Sequence, residues 1–299
     1  MIHRARHGRT ILKSTVAGGG LALLLGLSLA APSTSAPATD AVLDRVVDGD
    51  TIVAVVGEDV ERIRFLNVDT PEVGTCMADR ATAFTEAALA TGAPLKLKFD
   101  RELRDRYGRL LALVRPADGG WVSVGLAEAG LGFPMYVSPN RAYYPRVVAA
   151  AARAKKAKAG MFDPRRKCTP VARARRAQRM VERARSMPVR TSAQYNEANR
   201  VLNRAAAMLA GITAARYGVR SAYFRTYATQ LKSPVRTKLR TVRALKKRQR
   251  QAAISAASQT STGGGGSTST GGSWWPPGVP HSYTGPRCYQ PGGVIWYPC

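Results

Sequence analysis

Hydrophobic and polar residues alternate over residues 41–67, which is the pattern of paired β-strands. The segment "VLDRVVDGDTIVAVV" has two β-rich arms around the turn-forming Asp48-Gly49-Asp50, and "ERIRFLNV" continues the alternation after Gly57. Two further strands, "PLKLKFD" and "GRLLALVR", are joined by the charged "RELRDRY". The pattern therefore predicts five short strands.

Helical segments follow the third strand and the fifth strand. "ADRATAFTEAALAT" (78–91) has a helical pattern that Gly92 and Pro94 end, and "WVSVGLAEAGL" and "PRVVAAAARAKKAKAGMF" are two later helices. Five antiparallel strands of this length suit a partly open Greek-key barrel of the OB type. We therefore predict an α+β fold, a five-stranded OB-fold β-barrel capped by helices and followed by a basic helical extension.

The pattern changes beyond Lys167. "YNEANRVLNRAAAMLAGITAARYGVRSAYFRTY" carries apolar residues at alternating spacings of four and three, which predicts one amphipathic helix whose stripe packs on the preceding basic helix or on a partner. The residues of this stripe are Val201, Ala205, Met208, Ile212, Ala215, Val219 and Ala222.

The net charge of +27 is concentrated in this second part. Residues 40–164 are neutral, whereas residues 165–250 contain 24 Lys and Arg against only Glu182 and Glu197. Such a run attracts polyanions, because each phosphate that it neutralises releases counterions. The partner is DNA, RNA or an anionic cell-wall polymer bound through residues 165–250; the alternative is a solvated helical face with no target.

The two ends of the chain differ from the rest in composition. Residues 1–38 have a basic start, an apolar run from about Val16 to Ala30 and small residues typical of a cleavage site, which predicts a signal peptide; a single membrane anchor is the alternative. We expect a soluble monomer that is secreted, extracellular or associated with the cell wall. The other predicted parts are a domain at 39–168, the extension at 169–256, a Gly/Ser/Thr linker at 257–273 and an aromatic tail at 274–299.

Four cysteines fit an exported chain, because disulfides persist outside the cytoplasm. Cys76 and Cys168 bracket the middle of the protein, and Cys288 and Cys299 lie at its end. Pairing within each bracket is the simplest of three possible connectivities.

Three short motifs lie inside the neutral domain: "VDGDT" (47–51), "RFLNVDTPE" (64–72) and "DRYGR" (105–109). Each also has a purely structural explanation. The first and third can be hairpin turns, and Thr70 can be the N-cap of a helix. Each motif alone decides nothing.

In this order and at these spacings, the three motifs resemble the staphylococcal nuclease (thermonuclease) family. The resemblance runs from about Val42 to Phe162 and includes "GLGFPMYVSPN" and "AAAARAKKAKAGMFDP". It implies that Asp50, Asp69 and the Thr70 carbonyl hold Ca²⁺, since hard cations favour oxygen ligands. It also implies that Glu72 orients or deprotonates the attacking water.

The same resemblance assigns the residues that contact the substrate. Arg64 and Arg109 would bind the phosphate, because planar guanidinium groups contact two oxygens at once. Tyr107 and Tyr136 would contact the nucleotide. Cys76 is then expected to tie the loop after "DTPE" to the segment that contains Cys168.

The resemblance implies a secreted Ca²⁺-dependent nuclease that cuts DNA and RNA with little sequence preference and leaves 3′-phosphate ends. The three histidines, His3, His7 and His281, lie outside the neutral domain, which argues against a histidine base. The alternative is an inactive OB-fold protein that binds nucleic acid or a cell-wall polyanion. A binding-only relative should have lost one or more of the site charges, and this sequence retains all of them.

Overall fold

The computed structural model describes residues 38–262, 279–280, 282, 284–289 and 296–299. The predicted signal peptide, apart from Ala38, and most of the predicted linker lie outside the described residues. The strands are β1 (Thr39–Asp48), β2 (Thr51–Val56), β3 (Asp59–Phe65), β4 (Val68–Asp69), β5 (Pro94–Lys98), β6 (Leu110–Pro116), β7 (Phe133–Pro134), β8 (Arg287–Tyr289) and β9 (Trp296–Pro298). The α-helices are α1 (Ala78–Ala88), α2 (Val122–Glu128), α3 (Tyr144–Ala157), α4 (Pro170–Ser186), α5 (Ser192–Ala210) and α6 (Ala222–Thr262).

Five strands close into a barrel in the order β1-β2-β3-β6-β5. This confirms the predicted five-stranded OB-type barrel, with two corrections. The barrel is closed rather than partly open, and β3 pairs with β6 in parallel while the other neighbours are antiparallel. Local alternation predicts a strand but not the direction of a partner far along the chain, so this parallel pair was missed.

The barrel interior follows from the alternation in the strands. Ile52 and Ala54 on β2 and Ile63 and Phe65 on β3 are buried in the same apolar cluster. Helices α1, α2 and α3 pack on this cluster, for example through Ala81. Each strand therefore has one face in the core, which keeps the register of the hairpins from slipping.

The predicted long amphipathic helix is wrong beyond Ala210. Helix α5 ends there, a 3₁₀ turn covers Ala215–Tyr217, and α6 begins at Ala222. Gly218 has a φ of +58°, a left-handed conformation that an α-helix cannot contain. The chain between α5 and α6 is therefore a turn, and that turn reaches the candidate site.

Aromatic side chains join the helical extension to the barrel domain. Phe133 on β7 packs edge-to-face against Phe162, with ring centroids 5.7 Å apart, and against Phe224 of α6, at 5.0 Å. Tyr217 and Tyr227 belong to the same buried cluster. The extension thus shares a hydrophobic core with the barrel domain.

Two disulfides connect the cysteines within the predicted brackets. Cys76–Cys168 joins the loop before α1 to the segment before α4, with the Cα atoms 5.6 Å apart, and Cys288–Cys299 closes the tail. The first bond links positions 92 residues apart. It therefore restricts the unfolded chain far more than the 11-residue separation of the second does.

Helix α6 continues to Thr262 and so includes the first six residues of the predicted linker. The segment 257–262 contains neither glycine nor proline, so nothing ends the helix before Gly263. None of the helices in the described ranges has the length and apolar character needed to cross a bilayer.

Candidate active site

Asp50 is held at the end of the first hairpin. Its backbone N–H donates to the Asp48 carboxylate at 3.0 Å, so Asp48 shapes the turn. The Asp50 side chain is buried, and its Oδ2 accepts hydrogen bonds from the Thr70 backbone N–H at 2.7 Å and the Thr70 hydroxyl at 2.8 Å. Gly49 permits this approach, since a Cβ there would lie 2.9 Å from the Thr70 hydroxyl oxygen. Two of the three sequence motifs therefore meet at Asp50 and Thr70.

Arg64 lies between the two candidate metal-ligating carboxylates. Its Nη1 is 2.7 Å from Asp50 Oδ1, and its Nη2 is 3.3 Å from Asp69 Oδ1. Nη1 also donates to the Val68 carbonyl at 3.1 Å. Because all three charged side chains are buried, the guanidinium and both carboxylates are fixed relative to one another.

Burial raises the pKa of Asp50 to about 6, against the opposing effects of Arg64 and the Thr70 hydrogen bonds. The negative charge of Asp48 raises the pKa further. The Asp50 carboxyl is therefore harder to ionise than an exposed aspartate, although Arg64 and the Thr70 hydrogen bonds favour its charged form.

Asp69 is held from its other side by the helical extension. Its Oδ2 accepts hydrogen bonds from the backbone N–H groups of Arg220, at 2.5 Å, and Ser221, at 2.9 Å. The Ser221 hydroxyl caps the start of α6 by accepting from the Phe224 N–H at 3.2 Å. Sequence reasoning missed both residues, because the apolar stripe predicted an unbroken helix through this turn.

Residues 70–72 do not begin a helix; α1 starts only at Ala78. The Thr70 hydroxyl bonds to Asp50 and does not cap a helix. The Glu72 side chain is 56% exposed, and its Oε1 lies 3.2 Å from Arg220 Nη2. Glu72 therefore stands at the surface beside the buried carboxylates, where a substrate can reach it.

A groove with a volume of about 510 Å³ brings together the remaining predicted residues. It is lined by Arg64, Arg109, Tyr107 and Tyr136. Asp105 orients Arg109 by accepting from Nε at 2.8 Å, and the Arg109 guanidinium carbon lies 5.5 Å from the Tyr107 ring centroid. Tyr107 and Tyr136 are 61% and 46% exposed, so both rings are accessible to a ligand.

Asn67 is a further residue that organises the groove. It adopts a φ of +61° between β3 and β4, a conformation that asparagine tolerates better than most residues. Its side-chain Nδ2 donates to the Asn140 backbone carbonyl at 2.9 Å, and its backbone carbonyl accepts from the Met135 N–H at 3.0 Å. Asn67 thus positions the segment that carries Tyr136. In the sequence it is visible only as an interruption of an apolar strand.

The donors at this site suit a hard divalent cation. Within the described ranges, no three His, Cys, Asp or Glu side chains form a metal-binding cluster. The oxygen donors that the structure brings together are the carboxylates of Asp50 and Asp69, whose Oδ1 atoms both face Arg64. Arg64 balances the charge of only one of the two buried carboxylates, so a net charge of −1 remains when both are ionised. Ca²⁺ takes such oxygen donors and completes its shell with water.

Comparison with known proteins identifies relatives over this part of the chain. A family model described as "Staphylococcal nuclease homologue" matches residues 62–163. The chain is 34% identical over 137 residues to the thermonuclease of Staphylococcus intermedius, an alignment that covers 44% of this chain and 80% of that protein.

Two relatives come from Bacillus subtilis (strain 168). The SPbeta prophage-derived endonuclease YokF is 39% identical over 111 residues, or 35% of this chain and 37% of its own length. Endonuclease YhcR is 32% identical over 149 residues, or 44% of this chain and 12% of its own length. The chain therefore spans well under half of the length of these two proteins.

Proposed function

Because the chain belongs to the staphylococcal nuclease family, we propose that it is a Ca²⁺-dependent nuclease that hydrolyses phosphodiester bonds of DNA and RNA with little sequence preference. The observation that carries this proposal is the pair of buried carboxylates, Asp50 and Asp69, converging on Arg64 at 2.7 Å and 3.3 Å. Arg109 shares a groove with Arg64, and Arg220, which binds Asp69 through its backbone N–H, also contacts the exposed Glu72.

Each residue of the site would have its own role in this reaction. Asp50, Asp69 and the Thr70 carbonyl would hold Ca²⁺, and the bound ion would supply positive charge against the phosphate oxygens. Arg64 and Arg109 would donate hydrogen bonds to the phosphate and stabilise the charge that grows as water attacks.

Glu72 would orient the attacking water or accept its proton. The water oxygen then bonds to phosphorus while the bond from phosphorus to the 5′ oxygen breaks, which leaves a 3′-phosphate and a 5′-hydroxyl. Tyr107 and Tyr136 would contact the nucleotide from the walls of the groove. An inactive binding protein is the less favoured function, because every charge of the site is present.

A cleavage assay tests this proposal. Purified residues 39–299 are incubated with single-stranded DNA and with RNA, in Ca²⁺ or in a chelator, from about pH 7 to pH 10. We expect cleavage in Ca²⁺ only and 3′-phosphate ends by mass spectrometry. Glu72→Gln should lower kcat by about 10²–10⁴-fold. Glu58→Gln is the matched control, because Glu58 is exposed in the β2–β3 turn. The proposal fails if the wild-type protein cleaves nothing.

A second role is favoured by the exposed charges of α6. Arg236, Arg240 and Arg243 follow one another at helical spacing along a groove between α5 and α6. They would extend the contact with a nucleic-acid substrate beyond the site. An anionic cell-wall polymer is the alternative partner of the same surface.

Salt dependence tests the role of this surface. Replacing the three arginines by glutamine should reduce the slope of log affinity against log salt by as much as about two for single-stranded DNA. The control removes three exposed arginines of the barrel domain, Arg62, Arg80 and Arg146, and so has the same net charge. Equal slopes for both variants would contradict a specific role for α6. If the α6 variant changes the slope for an anionic cell-wall polymer and not for DNA, the polymer is the partner of this surface.

Secretion is proposed from residues 1–38 and is consistent with the two disulfides. Expression of the full chain in a bacterial host and N-terminal sequencing of the protein in the medium tests it. We expect a mature N-terminus close to residue 39. An intact leader in the membrane fraction would indicate an anchor.

A further inference from the structure

The turn between α5 and α6, residues 211–221, lies against the loop that follows Asp69. The Thr75 hydroxyl donates to the Tyr217 carbonyl at 3.1 Å, and the Glu72 backbone N–H donates to the Gly218 carbonyl at 3.3 Å. A Cβ on Gly218 would lie 2.5 Å from the Cβ of Glu72. The turn therefore fits the backbone of Glu72 closely enough to exclude a side chain at Gly218.

The same turn places a guanidinium against the Glu72 carboxylate. Arg220 Nη2 lies 3.2 Å from Glu72 Oε1, and the Arg220 backbone is held by its N–H bond to Asp69 and by the Arg225 guanidinium, which donates to the Arg220 carbonyl at 2.6 Å. Arg220 and Arg225 also line the groove that contains Arg64 and Arg109. The extension thus contacts two acidic residues of the site, Asp69 and Glu72, which have different proposed roles.

We propose that Arg220 is a positioning residue, which holds the Glu72 carboxylate in the orientation needed to act on the attacking water. The inference rests on the proposed function, because it assigns Arg220 a role through Glu72. It makes the helical extension part of the active site, in addition to any attraction for polyanions.

The exposure of the pair favours positioning over a role in stability. The Arg220 and Glu72 side chains are 58% and 56% exposed, and ion pairs this exposed contribute little to folding. A long glutamate side chain at the surface otherwise samples several rotamers. Small displacements of a reacting group lower the rate strongly, so restricting these rotamers affects turnover more than binding.

The experiment compares three variants of residues 39–299: Arg220→Ala, Arg220→Lys and Arg216→Ala. Arg216 is an exposed arginine in the same turn and controls for the loss of one charge. Measurements are kcat and KM on a single-stranded oligonucleotide with Ca²⁺, and Kd for the same oligonucleotide in a chelator by fluorescence anisotropy. Thermal unfolding checks that each variant is folded.

For Arg220→Ala we expect kcat to fall by about 10–100-fold while KM and Kd change less than about threefold. Lysine should restore part of kcat, because it keeps a cation beside Glu72. Arg216→Ala should match the wild type. In a Glu72→Gln background, Arg220→Ala should change kcat less than about twofold, because its effect passes through Glu72.

Several results would overturn the inference. These are an unchanged or higher kcat in Arg220→Ala, a loss confined to KM and Kd, or an equal loss with and without the Glu72 carboxylate. A loss in KM and Kd would make Arg220 a phosphate-binding residue, and a higher kcat would make the ion pair an inhibitory latch. If the wild type cleaves nothing, the proposed function fails and this inference fails with it. If the wild type cleaves and Arg220→Ala equals it, only the inference fails.

Discussion

Gly218 and Glu72, from the helical extension and the barrel domain, are packed so closely that a Cβ on Gly218 would lie 2.5 Å from the Glu72 Cβ and 2.8 Å from its backbone nitrogen. The φ of Gly218 is +58°, so glycine is favoured there by backbone conformation as well as by space. The contact depends on how the extension folds, and it involves the residue that is expected to act on water, Glu72.

Gly218→Ala should separate the extension from the active-site loop. The backbone strain and the contact with Glu72 together should destabilise the protein by about 2–4 kcal/mol. We also expect kcat to fall by about tenfold or more, because the turn that carries Arg220 must shift. Chemical denaturation and steady-state cleavage of single-stranded DNA measure the two effects.

Gly57→Ala is the matched control for this prediction. Gly57 has a φ of +65°, and nothing lies within 4 Å of the position a Cβ would take. The Gly57→Ala protein should be destabilised by about 1–2 kcal/mol through backbone strain, and its kcat should be unchanged. If both alanine variants retain the same kcat, the contact between the turn and Glu72 has no part in turnover.

Arg64→Ala should be severely destabilising, because it leaves the buried carboxylates of Asp50 and Asp69 without their shared cation. Breaking a buried ion pair typically costs about 3–5 kcal/mol. Arg62→Ala, an exposed change two positions earlier on β3, should alter stability by less than about 0.5 kcal/mol.

Calcium should stabilise the Arg64→Ala protein more than it stabilises the wild type. The ion then neutralises two carboxylates that no guanidinium shares, and ligand binding to the folded state raises the Tm. Thermal unfolding with Ca²⁺ and with a chelator measures both shifts. An equal shift in the two proteins would indicate that Ca²⁺ does not bind between Asp50 and Asp69.

The barrel and the residues of the site could be predicted because their signals are local. Alternation in β2 and β3 gives the strands, and the three motifs contain every metal-ligating and catalytic residue that the family resemblance assigns. The structure joins two of these motifs directly through Asp50, Arg64 and Thr70. Arg109, from the third motif, shares the groove with Arg64.

The contribution of the extension could not be predicted, because it depends on a tertiary contact. Ser221 donates to Asp69 across a sequence separation of 152 residues. The apolar residues from Val201 to Ala222 keep a helical spacing throughout, so the spacing gives no sign that the helix is interrupted. Gly211 and Gly218 were the only sequence signals of the turn, and a single glycine in a helical pattern is a weak one.

Asp105→Asn should loosen Arg109, whose Nε and Nη2 lie 2.8 Å and 2.7 Å from Asp105 Oδ2. We expect kcat/KM to fall by about tenfold and stability near pH 7 to fall by about 1–2 kcal/mol, because charged hydrogen bonds are lost. Asp118→Asn, at an exposed position, should change neither quantity. Unchanged kcat/KM in the Asp105 variant would contradict a role for this pair in holding Arg109.

The stability difference between wild type and Asp105→Asn should depend on pH. Burial alone would raise the pKa of Asp105, but hydrogen bonds from the Arg109 side chain and from the Tyr107 and Arg109 N–H groups lower it below its ordinary 3.8. A carboxyl group whose pKa is lower in the folded state stabilises the protein at pH values above its unfolded-state pKa. This stabilisation is lost as the pH falls through the folded-state pKa. The difference should therefore be full well above pH 3.8 and should shrink as the pH falls below that value. A constant difference over this range would assign the effect to packing.

Lys246→Met tests how α6 holds the end of α4. The Lys246 side chain is fully buried, and its ammonium donates to the Arg185 carbonyl at 2.9 Å and the Met187 carbonyl at 2.5 Å. Burial lowers the pKa of Lys246, so replacing the lysine removes an unfavourable desolvation of its charge. This gain offsets only part of the cost, because two carbonyls at the end of α4 lose their hydrogen-bond donor. We expect a net loss of about 1–3 kcal/mol by urea denaturation. Lys247→Met removes the same charge from an exposed neighbouring position and should cost less than about 0.5 kcal/mol. Equal stability of the two variants would mean that the buried ammonium contributes nothing to the packing of α4 on α6.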